Sequence, residues 1–144
     1  DIPFIVSACI REVERRGMSE VGIYRVSGSA SDLARLKKSF ENTEQLLKEV
    51  DIHSVTGILK LYLRELPEAL YTDQLYPTLL EAFNQSNGNL IRRLELLKEC
   101  FLKLPQQNKA TIQFILGHLI RINQHENENK MSLHNLATVF GPTL

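Results

Sequence analysis

Apolar residues recur every three or four positions along almost the whole chain, and no stretch alternates apolar with polar as a half-buried strand does. That periodicity restricts the fold to helix packed on helix. Ile5, Cys9 and Val13, with Val6 and Ile10 beside them, predict a first helix ending at Gly17. Ser29-Ala30-Ser31-Asp32 has the form of a capping box and precedes Leu33, Leu36 and Phe40 at helical spacing. A third helix is expected over about 54–66, with Val55, Ile58, Leu59, Tyr62, Leu63 and Leu66 on its apolar side and Pro67 as its stop. A fourth starts within 72–76 and carries Leu75, Leu79, Leu80 and Phe83. After the loop "QSNGN", a fifth carries Leu90, Ile91, Leu94, Leu97, Phe101 and Leu104. The sixth carries Ile112, Ile115, Leu116, Leu119 and Ile122, then gives way to the polar connection "NQHENENK". Ser132 caps a short last helix with Leu133, Leu136, Ala137 and Phe140 inward, ended by Gly141-Pro142. The expectation is an all-α, single globular domain of about seven helices with short connections. Its 144 residues suffice to bury a core without staples.

Charge and chemistry exclude more than they suggest. Lysine plus arginine number 17 and aspartate plus glutamate 17, so no overall basic field attracts nucleic acid or an anionic membrane. No apolar run approaches transmembrane length and no signal-like segment opens the chain. Cys9 and Cys100 lie on helical apolar patterns outside any CxxC pair, which suggests buried thiols in a reducing, cytoplasmic setting. "GMSEVG" has the GxxxxG spacing of a phosphate loop, but Ile23 and Tyr24 follow where Lys and Ser/Thr are needed; two glycines flanking a turn is the plainer reading. His53, His118, His125 and His134 form no zinc-binding spacing, and His118 and His125 are expected on the solvated surface. No GxSxG elbow accompanies the serines. These residues predict neither an active site of the chain's own nor a bound metal.

Three polar features stand in apolar settings. In "GIYRVSG" Arg25 occupies a small turn just before a helix start; it either anchors the turn by bonding nearby carbonyls or is presented to something outside the chain. In "SVTGILKLYLRELPEAL" Thr56, Lys60 and Arg64 recur at i, i+4, i+8 along the flank of the apolar face. Two cations so spaced repel modestly, which points them at another part of the fold or at a partner, with a solvated helix face as the plain alternative. In "SLHNLATVFGPTL" Asn135 sits in the first turn after Ser132, where an amide could bond a segment crossing the helix start or merely decorate the turn.

Taken together, "GIYRVSG", "LKLYLRELPEAL" and "NLATVFGPTL", in this order and with these separations, resemble the RhoGAP domain, the GTPase-activating domain for Rho-family small GTPases. The opening "DIPFIVSACIREVERRG" looks like that family's first helix, and "KMSLHNLATVFGPTL" is similar to the breakpoint-cluster-region and active-BCR-related subfamily. The resemblance implies that Arg25 is an arginine finger inserted in trans. It implies that Lys60 and Arg64 support the finger loop or contact the GTPase switch region, and that Asn135 holds the loop and reaches toward the partner. The implied partner is a Rho-family GTPase in its GTP-bound state, Rac- or Cdc42-like by subfamily. That partner holds GTP and magnesium, so the domain needs no cofactor. It is expected to be monomeric and cytoplasmic, to bind no nucleic acid and not to insert in membranes, recruitment to them falling to other domains. Two departures accompany the resemblance: Ala69 stands where the family commonly has a second proline, and the family's domain usually continues past "FGPxL", so 1–144 is expected to be a segment of a longer multidomain protein lacking the domain's C-terminal end. The competing functions are a catalytically silent GTPase-binding module on the same fold and a scaffold for an unrelated partner.

Overall fold

A computed structural model describes residues 2–38, 43–66, 99 and 102–140. Seven helices and no strand occur among them: α1 (Phe4–Arg16), α2 (Ala30–Lys38), α3 (Thr43–Glu49), α4 (Ile52–Arg64), α5 (Gln106–Asn123), α6 (Glu126–Asn129) and α7 (Leu133–Phe140). The all-α reading holds. The fourth predicted helix, Ala69 and Cys100 lie outside the described residues, as does the fifth predicted helix apart from Glu99 and residues 102–104.

The core is the sum of the predicted stripes. Val6, Cys9, Ile10 and Val13 of α1 meet Val55, Leu59 and Leu63 of α4, and Ile112, Ile115, Leu119 and Ile122 of α5 close it with Leu136 and Phe140 of α7. Helix α4 is the hub, packed on α1 and α2, while α5 carries α6 and α7. Burial of Cys9 pushes its thiol up to about 12, so it stays a neutral, apolar filler.

Local signals account for the helix ends. Ser29 Oγ accepts from Asp32 N at 3.3 Å, so the predicted cap of α2 forms. Asp51 caps α4 by accepting from His53 N at 3.3 Å, and α4 ends at Arg64, three residues before Pro67. Gly17 follows α1 with φ −122°, and it is glycine for room: a Cβ would lie 2.7 Å from Ile52 Cγ1. Arg16 reaches across to donate to the carbonyls of Leu47 (2.8 Å) and Val50 (2.7 Å), satisfying the open C-terminal end of α3. Glu12, buried beside it, is paired with Arg15 and Arg16. Burial acts to raise its carboxyl, but the hydrogen bonds from both arginines outweigh that and hold it below the usual carboxylate range.

Four expectations need correction. Helices α3 and α6 are too short for periodicity to announce: α3 forms in a stretch given no element, and α6 within the segment read as a polar connection. Leu133 is 56% exposed and Ala137 is exposed, because α7 buries a narrow face centred on Leu136 and Phe140. Leu116 is exposed in the same way on α5. His118, expected on the surface, is wholly buried. It falls three residues after Ile115 and four before Ile122, on the inward stripe of α5.

Candidate functional site: an exposed arginine on a braced turn

Residues 17–26 fold as consecutive tight turns between α1 and α2. Glu20 N donates to Gly17 O, Ile23 N to Glu20 O, and both Arg25 N (2.8 Å) and Val26 N (2.9 Å) to Gly22 O. Gly22 has φ +74°, which glycine tolerates; a Cβ there would also lie 2.7 Å from Val26 Cγ2 and 3.2 Å from Arg25 Nη2, so the guanidinium lies over the bare glycine. Ile23 and Tyr24 are completely buried, whereas Arg25, Val26 and Ser27 are exposed. The Arg25 guanidinium takes no hydrogen-bond partner among the described residues, so within them the side chain does not anchor its own turn.

The residue before it carries the strain. Tyr24 has φ +72°, a left-handed conformation that for a bulky side chain costs on the order of 1–3 kcal/mol unless its surroundings over-determine it. They do so from three directions. Lys60 Nζ donates to Tyr24 O at 2.7 Å. The hydroxyl is 2.6 Å from His118 Nε2. The ring sits edge-on to Phe140 at 4.9 Å and to His118 at 5.5 Å between centroids. Each of the three sequence motifs therefore contributes to one buried residue, whose neighbour is Arg25.

Further contacts fix the turn at its two ends. Gly22 N donates to Asn129 O at 2.8 Å. The Asn129 side chain, buried in α6, donates to Met18 O and Ile122 O and accepts from Met131 N, all at 2.8 Å. On the other side Gly28 presses on the start of α4: a Cβ would lie 2.5 Å from Ser54 Cα and 2.7 Å from His53 O. Ser29 N donates to Ser54 Oγ at 3.3 Å, and Ser54 Oγ donates to Asp32 Oδ2 at 3.1 Å.

The stripe on α4 climbs from core to surface. Thr56 is buried, Lys60 half-buried and Arg64 exposed. Burial, then the neighbouring Arg64 charge, pushes the Lys60 ammonium below its ordinary value. Arg64 takes no hydrogen-bond partner among the described residues. Asn135 is half-buried in the first turn of α7, where its backbone N–H donates to Ser132 Oγ at 3.1 Å. Its side-chain amide has no partner among the described residues, so the structure brings Lys60 onto the Arg25 turn but gives no such bond from Arg64 or Asn135. Sequence reasoning missed His118 and Asn129. The first was legible from its place on the buried stripe; the second had only the apolar Met131 two residues on as a signal.

Among the described residues no three His, Cys, Asp or Glu groups gather to hold a metal ion, and no helix is long and apolar enough to cross a membrane. Fold and site together define a helical domain that displays one arginine from a turn braced by its own core.

The chain belongs to the RhoGAP domain family, whose model matches residues 3–144. It is 48% identical to the breakpoint cluster region protein of Rattus norvegicus, over 99% of this chain and 11% of that protein. It is also 48% identical to the active breakpoint cluster region-related protein of Xenopus tropicalis, over 99% of this chain and 17% of that one, so it spans well under a fifth of either relative. Its fold matches the crystal structure of human Rho GTPase activating protein 15 with a TM-score of 0.86 at 38% identity, covering 99% of this chain and 69% of that one.

Proposed function

We propose that this domain accelerates GTP hydrolysis by Rho-family small GTPases, binding them in the GTP-bound state as a monomer and inserting Arg25 as a finger. The observation that carries the reading is the Arg25 side chain, exposed and without a hydrogen-bond partner among the described residues, directly after the buried, left-handed Tyr24. Lys60 braces the turn through Tyr24 O. Arg64 and Asn135, whose side chains are unspent among the described residues, are assigned to the GTPase surface. GTP, magnesium and the attacking water belong to the partner. Rac- and Cdc42-type GTPases are the first candidates, as the subfamily resemblance implies.

The chemistry asks for this residue type. Phosphoryl transfer spreads negative charge over the equatorial and leaving oxygens, so positioned positive charge does most of the work. A guanidinium is always charged, planar and able to donate several hydrogen bonds at once. A finger of this kind accelerates hydrolysis roughly 10³–10⁵-fold, which corresponds to about 4–7 kcal/mol.

The test is single-turnover GTP hydrolysis by Rac-, Cdc42- and Rho-type GTPases with the parent domain, Arg25→Ala and Arg25→Lys. Stimulation is expected from the parent, none from Arg25→Ala, and little from Arg25→Lys, which keeps the charge without the fork. Binding of Arg25→Ala to a GTP-loaded partner is expected to persist. A folded parent that binds such a partner without accelerating hydrolysis would make it a silent binding module instead.

A further inference from the structure

The polar chain behind Tyr24 is longer than packing requires. A phenylalanine would fill the same space between His118 and Phe140. The tyrosine instead brings a hydroxyl into the core, to a histidine 94 positions away in sequence. His118 Nδ1 is 2.7 Å from Glu14 Oε2, and Arg121 donates to the same oxygen through Nε (2.9 Å) and Nη2 (2.6 Å). A carboxylate only accepts, so Nδ1 carries the proton; Nε2 of the neutral ring then accepts from the Tyr24 hydroxyl. The bonds run in one direction, from Tyr24 through His118 to Glu14, where Arg121 holds the far end.

We propose that His118 is a positioning residue for Arg25, holding the buried Tyr24 hydroxyl so that the residue before the finger keeps its left-handed conformation, with Glu14 fixing the imidazole tautomer that accepts that hydroxyl. The inference rests on Arg25 being the finger. Consecutive Cα atoms are only about 3.8 Å apart, and φ of Tyr24 fixes how the incoming chain is turned relative to the buried ring and the peptide that leads to Arg25. Lys60 fixes the carbonyl of Tyr24, whereas His118 fixes the far tip of its side chain. Two anchors on opposite ends of one residue define an orientation that either alone leaves free to pivot. Misplacing a catalytic group by about 1 Å can cost 10²-fold in rate, so a weakened hydroxyl anchor is expected to act on the rate at saturation more than on affinity.

Tyr24→Phe removes one oxygen and keeps the ring. Glu14→Gln can donate to Nδ1 and so admits the opposite tautomer, in which Nε2–H donates to the hydroxyl oxygen and the hydroxyl proton loses its acceptor. The experiment measures saturating single-turnover hydrolysis and affinity for a GTP-loaded Rho-type GTPase for the parent, both variants and the double variant. Amide hydrogen exchange at Arg25 and Val26 and the ring ¹⁵N shifts of His118 are recorded on the free domain. Each variant is expected to lose about tenfold in saturating rate, with affinity changed less than twofold. The double variant should be no slower than the slower single, as for groups that act as a unit. Exchange at Arg25 and Val26 should quicken in Tyr24→Phe, and the protonated ring nitrogen should change in Glu14→Gln. An unchanged saturating rate overturns the proposal, as does a rate loss that follows the folded fraction measured by circular dichroism. If the parent itself does not stimulate, the activator reading fails; the exchange and ring-nitrogen measurements then decide alone whether His118 orients the turn.

Discussion

At the scale of single residues, the site depends on where one lysine ends. Lys60 is half-buried, its ammonium 2.7 Å from Tyr24 O, while Arg64 one turn later stays exposed. The two cations of one stripe therefore do different work, which i, i+4 spacing cannot distinguish. Lys60→Met keeps the apolar stem and removes the donor. It is expected to lower the saturating stimulated rate at least tenfold with a small effect on the melting temperature; a rate within twofold of the parent would reject the bracing role. Gly28→Ala sets a Cβ 2.5 Å from Ser54 Cα, a backbone neighbour that cannot turn aside. Overpacking of that kind costs about 1–3 kcal/mol, and urea denaturation should show it as a lower midpoint at unchanged slope. Arg25, Lys60, Arg64 and Asn135 stood out in the sequence as polar groups in apolar settings, but that reading left their roles open and only the family resemblance assigned them. The strained φ of Tyr24 was not, because nothing in a tyrosine's chemistry announces a left-handed backbone.

Among the elements, long helices were legible and short ones were not. Five of the seven described helices coincide with a stripe of at least two turns, and their caps at Ser29 and Asp51 use ordinary N-terminal chemistry. Helix α6 has four residues, fewer than periodicity can register, and its composition is that of a loop. Its structural weight comes from one side chain. Asn129 joins the end of α1 (Met18 O), the end of α5 (Ile122 O) and the start of the segment leading to α7 (Met131 N), while its carbonyl takes the N–H of Gly22. Asn129→Ala takes this partner from the part-buried Met18 O and the buried Met131 N–H, at about 1–3 kcal/mol for each group that water does not reach, while Ile122 O keeps the N–H of His125. The expected result is a loss of roughly 2–4 kcal/mol together with faster amide exchange at Gly22. Stability within about 0.5 kcal/mol of the parent, the range of ordinary surface substitutions, would mean α6 carries no such load.

Across the whole molecule, the two halves of the bundle meet at ionisable groups whose protonation responds to pH in a calculable direction. Glu14 of α1 faces His118 and Arg121 of α5, and Tyr24 completes the environment of the imidazole from the turn that carries Arg25. Burial pushes His118 below its ordinary value of 6.5, against the opposing pull of Glu14, so the folded chain keeps a neutral ring where the unfolded chain takes up a proton. The unfolded state then binds more protons, and stability falls as pH drops from above 6.5 toward the folded value. Glu14 is held below its ordinary 4.5: burial acts to raise it, but hydrogen bonds from Arg121 and His118 outweigh that. Glu12 is held down in the same way, so their contribution is present above 4.5 and is lost below it. Urea unfolding followed from pH 8 to pH 4 should therefore show a level region, a decline beginning near 6.5 and a second decline below 4.5. His118→Gln, which does not titrate, should lack the first decline and keep the second. If it keeps both, the upper transition belongs to other groups. Such pairings were invisible to a reading of period and motif, since Glu14 and His118 stand 104 positions apart and meet only once α1 and α5 have packed. The helical pattern foretells that packing; which polar groups it traps face to face is settled by three-dimensional register. Because the folded ring stays neutral and bonded to Tyr24 through the upper decline, protection of the Arg25 amide, corrected for the intrinsic pH dependence of exchange, should fall there only in step with global stability. A larger loss would mean that the folded imidazole itself takes up a proton.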